Sequence, residues 1–592
     1  MSLGLLAEVV DRPRDQVATS LQAMVRRGVA VGEGERVTLR HDLIREAIAS
    51  SIALDDRREL HMAIAQALRS RGPLARVAHH LFLAGPDAAG EARTVAERAA
   101  EHALSEMAYE QAAELLELAL SAIGSSPSDP EVSASERAEL LLARAEALRL
   151  GGKEQDARAC SIEAAELARQ EGSYDLLARA ALALGTDVER ERIGDDEQRR
   201  LLEQARDGLD QSQEPGLSAL LLGRLANLPP HVDDVQRRQS LSAEAVALAR
   251  RANNPRVLAQ ALRAHLVALW GPDGLDERVV VAEELVGLAE RGGMLDERAT
   301  ARDAMALVSL ARGDQLAARH QLSELEKITS ALARPGRQFR LHWLHTSAAI
   351  TEGRFDDAER HLGEAKRLAF ELGDPFAQLL TILLGASLDY DRGRWDGVAV
   401  VPEALATVYP WAGRIRIALG ADVLWRKGKQ DEARQMVASM SLRELSAIPK
   451  DEHWFVVMAL LSMAATRLGD RERAARLLEL LEPYADRHVF NDMMGTGRGP
   501  ARFYLGVLAR GLERYEEGLE HLRAARQHNL RAGIEPGLVR CDVQTAKILL
   551  ARDAPGDRED ARRLHADAIE KARRLDLGSQ VSLLEAMADR LS

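Results

Sequence analysis

Aromatic side chains are scarce in this sequence. Phe, Trp and Tyr together make up 4% of 592 residues, whereas hydrophobic residues reach 46% and are dominated by Ala and Leu. β-Rich cores draw on aromatic and β-branched side chains, while Ala and Leu favour helices, so an all-α protein of closely packed helices is expected. Cysteine is rarer still. Cys160 and Cys541 lie far apart and exclude a disulfide framework, though not a single bridge, and so few thiols suit a reducing cytoplasm. Long apolar runs are missing too: the most apolar stretch, 376–388, ends at Asp389, short of the roughly 20 residues that span a bilayer. Near the start, Glu8 and Asp11 interrupt Leu5, Leu6, Val9 and Val10, and no basic segment precedes them. Neither a membrane helix nor a secretory signal is therefore expected. Basic residues are outnumbered, giving a formal charge of -13, which disfavours broad attraction to nucleic acid.

What the sequence does contain is repetition. From about residue 95 onward, amphipathic segments alternate with short breaks rich in Gly, Asp and Pro. Gly152, Gly313, Gly353, Gly428 and Gly469 are each followed five residues later by an alanine, namely Ala157, Ala318, Ala358, Ala433 and Ala474. Gly393 with Val398 and Glu513 with Gly518 are variants of the same turn. A glycine there accepts the positive φ that ends one helix, and a small residue five positions on lets the next helix pack back against it. From Gly313 the turns stand 40, 40, 35, 41 and 44 residues apart, a stretched version of the roughly 34-residue tetratricopeptide period. A tetratricopeptide-like solenoid of helical hairpins follows. Phe355, Trp395 and Tyr515, just past their turns, are read as packing residues. Residues 185–240 interrupt the pattern with the charged run 186–196 and with Leu228-Pro229-Pro230, and read as a looser hairpin with a long connection.

Residues 1–52 follow another pattern. Segments 5–10 and 15–27 read as helices, the second started by Pro13; residues 28–39 carry Val29, Val31, Val37 and Thr38 around Gly32-Glu33-Gly34, a short β-hairpin; and 41–51 is a further helix. That order predicts a small winged-helix remnant ahead of linking helices at 53–94 and the solenoid at 95–592. The first 50 residues hold seven Arg against seven Asp or Glu, so the remnant lacks the basic stripe of a DNA reader.

Arg40-His41-Asp42-Leu43-Ile44-Arg45-Glu46-Ala47, Arg57-Arg58-Glu59-Leu60-His61 and Val77-Ala78-His79-His80-Leu81 resemble a stretch of large bacterial STAND-type signal-transduction ATPases. These include the ATP-binding LuxR-like transcription regulators and related proteins with cyclase or activator domains. Pro483-Tyr484-Ala485, Tyr504-Leu505-Gly506, Ala532-Gly533-Ile534-Glu535-Pro536 and Gly556-Asp557-Arg558-Glu559-Asp560-Ala561 resemble the last repeats of their arms. The resemblance implies a cytoplasmic regulatory arm that binds a protein partner or a small ligand and reports to an ATPase module, expected upstream or on another chain. Such a winged helix usually has one more helix before Leu5, so Met1 is expected to fall inside the module. The resemblance also implies that His41 faces nucleotide phosphates, since an imidazole N–H donates to phosphate oxygen; the residues alone read as a packed histidine.

No Gly-x-x-x-x-Gly-Lys-Ser/Thr loop occurs in the sequence, so no cofactor is expected, with ATP or ADP entering only if an ATPase module is supplied. His342 and His345, three apart on one helix, lack a companion ligand at metal spacing, and the adjacent His79 and His80 point about 100° apart. Asp391-Arg392-Gly393-Arg394 and Gly495-Thr496-Gly497-Arg498-Gly499 read as repeat connections or, alternatively, as anion-holding loops, the second preceding a helix that begins near Pro500. No clustered acid, base or nucleophile stands at catalytic spacing. The expected role is thus non-catalytic, with a free-standing interaction scaffold and a DNA-binding regulator as the alternatives.

Overall fold

The computed structural model describes residues 3–33, 36–123, 133–185, 196–228, 234–332, 334–396, 398 and 410–591. Contacts divide the chain into two compact units, one of residues 1–186 and 195–221, the other of residues 187–194 and 222–592.

The smaller unit begins with helices Leu3–Val9 and Arg14–Arg26, strands β1 (Ala30–Glu33) and β2 (Arg36–Leu39), and helix Asp42–Ser51. The strands pair antiparallel, with Ala30 opposite Leu39. Helix, helix, strand pair, helix is the order read from the sequence, and Pro13 is indeed the N-cap of the second helix. Helical hairpins follow from Leu54. Their facing surfaces are alanine-rich, as in Ala92, Ala96, Ala99, Ala100 and Ala103 of helix Ala89–Ser105, all buried. Side chains this small let helix axes approach closely. Helix Ala134–Leu150 opens on a reciprocal capping box between Ser133 and Glu136, satisfying two otherwise orphaned backbone donors.

The larger unit is a run of hairpins with one continuous core that extends from Ala264 to Leu591. The turn rule holds at each position: Gly313, Gly353, Gly393, Gly428 and Gly469 all have φ between 72° and 81°. The alanines five residues after their turns, Ala318, Ala358, Ala433 and Ala474, are at most 1% exposed. Glu513 adopts the same left-handed conformation, with φ 63°. Gly518, five residues after it, packs against Gly506 and Ile548. Phe355 is buried, and Trp395 and Tyr515 pack against apolar clusters. In the region read as a looser hairpin, helices Asp196–Gly208 and Pro215–Ala226 are formed; residues 186–195 and 229–233 lie outside the described residues.

Later hairpins of this unit lie directly against the turns of earlier ones. A Cβ added to Gly271 would stand 2.5 Å from the Lys450 carbonyl oxygen; at Gly353 it would stand 2.6 Å from Pro536, and at Gly393 2.8 Å from the Ser579 nitrogen. Between the two rows runs a β-hairpin of strands β3 (His488–Asn491) and β4 (Thr496–Pro500), almost wholly buried, with His488 opposite Pro500. The glycine-rich segment 495–499 is therefore interior structure and not a surface anion loop. The helix after it starts at Ala501. Glycine inside a strand marks close approach by another group. Inside β4 a Gly497 Cβ would stand 3.1 Å from Thr351 Oγ1; in the turn just before β4 a Gly495 Cβ would stand 2.5 Å from the Trp343 ring, and the Ser347 hydroxyl donates to the Gly495 carbonyl.

Two turn glycines separate the cost of conformation from the cost of contact. Among the described residues nothing lies within 4 Å of a Cβ placed on Gly428 (φ 78°), whereas one on Gly393 (φ 73°) meets the backbone of Gly578 and Ser579. Gly428→Ala is expected to lose about 1–2 kcal/mol from the left-handed conformation alone, and Gly393→Ala roughly 1–3 kcal/mol more from the clash. Equal losses in urea unfolding would show that the two rows do not meet at Gly393.

Candidate functional site

His41 is the N-cap residue of helix Asp42–Ser51 and is exposed, with no side-chain capping bond. That exposure differs from the packed position that the residues alone suggested.

The paired histidines find partners that the sequence did not indicate. His342 and His345 from helix Pro335–Glu352 meet His361 of the next helix: the Nδ1 atoms of His342 and His361 are 2.9 Å apart, and His345 stacks on His361 with centroids 4.7 Å apart. Burial lowers the pKa of His345 and of His361 to about 4. Likewise His61 and His80 meet at 3.0 Å, with His80 lowered to about 4, burial first. Among the described residues no group of three or more potential ligands has a geometry to hold a metal ion. Cys160 and Cys541 are buried and unbridged, and burial pushes the Cys541 thiol up to about 12.

Two polar networks occupy the interior of the larger unit, and the β3–β4 hairpin contributes to both. In the first, Arg238, wholly buried, donates to the Trp270 carbonyl (2.9 Å) and pairs with Glu452 (3.4 Å). Arg414 pairs with Asp451 (2.6 Å) and Arg278 with Asp492 (2.7 Å), while Asn491 and His453 share a 2.9 Å hydrogen bond. Burial, then the neighbouring Glu452, pushes the Asp451 carboxyl up to about 6 despite Arg414. These groups tie early helices to later ones, and each buried charge has a counter-charge, as low-dielectric surroundings require.

The second network is richer in cations. Tyr390 and Asp391 end helix Pro375–Arg392, Asp422 and Arg426 end helix Pro410–Arg426, and Arg467 ends helix Trp454–Leu468. Arg498 comes from β4 and Arg540 from helix Glu535–Arg552. The Tyr390 hydroxyl donates to Asp422 (2.6 Å), which also accepts from Arg426 Nε (2.9 Å) and contacts Arg467. Asp391 lies 3.4 Å from Arg540 and 3.7 Å from Arg498. The guanidinium carbons of Arg498 and Arg426 sit 4.6 and 5.1 Å from the Tyr390 ring centroid, positions that suit cation–π attraction. Burial acts to raise the Tyr390 phenol, yet Arg426, Arg467 and Arg498 together pull it below its ordinary value. The network encloses a cavity of about 30 Å³.

This site joins residues from both segments that read as anion loops, Asp391 from one and Arg498 from the other, although neither segment is a loop at those positions. Arg392 and Arg394 point elsewhere, to Glu359. Arg426, Arg467 and Arg540 were not recognised. A signal existed for two of them, since Arg426 and Arg467 each precede a turn glycine by two residues.

No family model matches this chain, and no curated protein does. Among solved structures, it is similar to a chain of the APC/C hetero-tetramer Cut9–Hcn1, with 13% identity, 92% of each chain covered and a TM-score of 0.48. It is also similar to a STAND protein with a tetratricopeptide repeat sensor from Pyrococcus horikoshii, with 13% identity over 69% of this chain and 61% of that one and a TM-score of 0.35. A third similarity is to yeast Tom70, with 14% identity, 92% and 96% of the two chains covered and a TM-score of 0.23. None of these distant likenesses assigns a function. Among the described residues no helix is long and apolar enough to cross a membrane.

His488, at the start of β3, gives the interior a measurable pH signature. Among the described residues neither ring nitrogen has a hydrogen-bond partner, and burial, then His528 and Arg540, lowers its pKa from 6.5 to about 3. Below pH 6.5 the unfolded chain therefore binds a proton that the folded chain refuses, and stability falls by up to about 1.4 kcal/mol per pH unit from this group. His488→Gln should flatten the loss between pH 6.5 and 4 by roughly that slope. The opposing contribution of Asp451 is common to both proteins and cancels in the difference. Parallel stability curves for the two proteins would place His488 in water.

Proposed function

We propose that this chain is the non-catalytic regulatory arm of a signal-transduction ATPase of the STAND type, acting in transcriptional control. The observation that carries the reading is the run of stacked helical hairpins, a form of repeat scaffold that presents extended binding surfaces. Support at the other end comes from the helix, helix, strand pair, helix order of residues 3–51, read as the winged-helix remnant that joins such an arm to its ATPase module. A protein partner or a small regulatory ligand is the input, and the ATPase module the output.

Interior ion pairs suit that work. Arg278 with Asp492 and Arg238 with Glu452 link early helices to turns distant in sequence, so a ligand that favours one arrangement of the rows biases the whole unit. Coupling of this kind is worth about 1–3 kcal/mol, a roughly 5–150-fold change in affinity at the second site.

Calorimetry with ATP and ADP on the purified chain is expected to show no binding and a hydrolysis assay no turnover. Hydrolysis would overturn the non-catalytic reading, and nucleotide binding lost in His41→Ala would place nucleotide sensing within this chain. The coding region just upstream should encode, in frame, a module with a phosphate-binding loop whose ATPase rate changes when this chain is attached. An unrelated gene there, with no such module on a partner chain, would leave a free-standing scaffold.

A further inference from the structure

We propose that the arginine network around Tyr390 and Asp391 binds a phosphate group, carried either as inorganic phosphate or as the terminal group of a small phosphomonoester. The first reason is charge. Among the described residues, Arg426, Arg467, Arg498 and Arg540 face only Asp391 and Asp422 within the network, a surplus of two positive charges. Their side chains are 5, 7, 10 and 15% exposed, and those of Asp391 and Asp422 are 7 and 0% exposed. Surplus charge held this far from water is strongly unfavourable without a counter-ion, and a dianion neutralises it.

The second reason is unmet hydrogen bonding. Arg467 Nη2 and Arg498 Nε are buried donors without a hydrogen-bond partner among the described residues, and both residues line the 30 Å³ cavity. Buried polar atoms are ordinarily paired, so such exceptions call for a specific explanation. The third is geometry. The four guanidinium groups arrive from three helices and a strand and are not arranged as one planar fork, which fits a tetrahedral oxyanion better than a flat carboxylate. A cavity of this volume takes one small group and no ring system. Arg498 and Arg540, the least buried of the four, mark the side from which the anion enters.

Phosphate recognition gives the regulatory arm of the preceding section a ligand class, but binding itself does not depend on an ATPase. A chain that ignores phosphate could still be the arm, and one that binds phosphate without an ATPase partner would keep this site and lose that role. The test is titration calorimetry on the full chain, in buffer free of phosphate and sulfate, with inorganic phosphate, phosphoserine, sulfate, succinate and chloride at matched ionic strength. Saturable binding of phosphate or phosphoserine with Kd of about 1 mM or tighter is expected, the comparison of the two identifying free anion or ester as the source. Arg498→Gln should weaken it by about tenfold or more, while Arg487→Gln, which removes a surface pair with Asp276, should not. If Arg498→Gln does not fold, Arg540→Gln replaces it, because Arg540 makes only a long 3.4 Å contact to Asp391. No saturable binding by either phosphate species, binding by succinate alone, or binding indifferent to these network substitutions would overturn the proposal.

Discussion

The larger unit rests on how closely backbone can approach backbone. Where Gly271 faces Lys450 and Gly393 faces Ser579, no side chain intervenes, and the two rows of hairpins meet at distances that only glycine permits. The same constraint acts within each hairpin, through the alanine five residues past the turn. Bulk at either place would hold the helices apart and unseat the β3–β4 hairpin, and with it the interior ion pairs. Packing density, more than any single bond, fixes the polar networks.

That closeness also explains the interior's composition. Once Trp343, Trp454 and the strands fill the middle of the unit, ionisable groups carried inward have little access to water, and several are shifted in pKa. Asp451 rises, His488 falls, and Tyr390 is pulled down by three guanidinium groups. For Asp451 and His488 burial is the leading cause, whereas at Tyr390 the guanidinium charges outweigh it.

Much of the architecture was legible because it is local. Turn glycines, the alanines that follow them, the Pro13 helix start and the β1–β2 hairpin are all set by residues within a few positions of one another, and the structure places each as expected. Even Glu513, a non-glycine at a turn, takes the left-handed conformation its position implied. What the sequence concealed is non-local. Segment 495–499 carries the glycine content of a loop, yet residues 496–500 pair with residues 488–491 as a strand, with Thr351 packed close to Gly497. His342 and His345 showed their spacing but not His361, which approaches from the next helix. Asp391 and Arg498 were visible separately as features that attract anions, yet nothing in their local sequence brings them together or adds Arg426, Arg467 and Arg540.

A solenoid in which each repeat touches only its neighbours behaves as a one-dimensional chain, able to fray from an end and to fold from any point. Here Tyr484 donates to Asp273 across 211 residues, and Ser347 to Gly495 across 148. Contacts of that span convert the row into a closed circuit whose loss at one point is felt at distant ones. They also raise the contact order, so the unit gains cooperativity at the expense of folding speed: its early hairpins must wait for the β3–β4 segment to be made before their interior is complete.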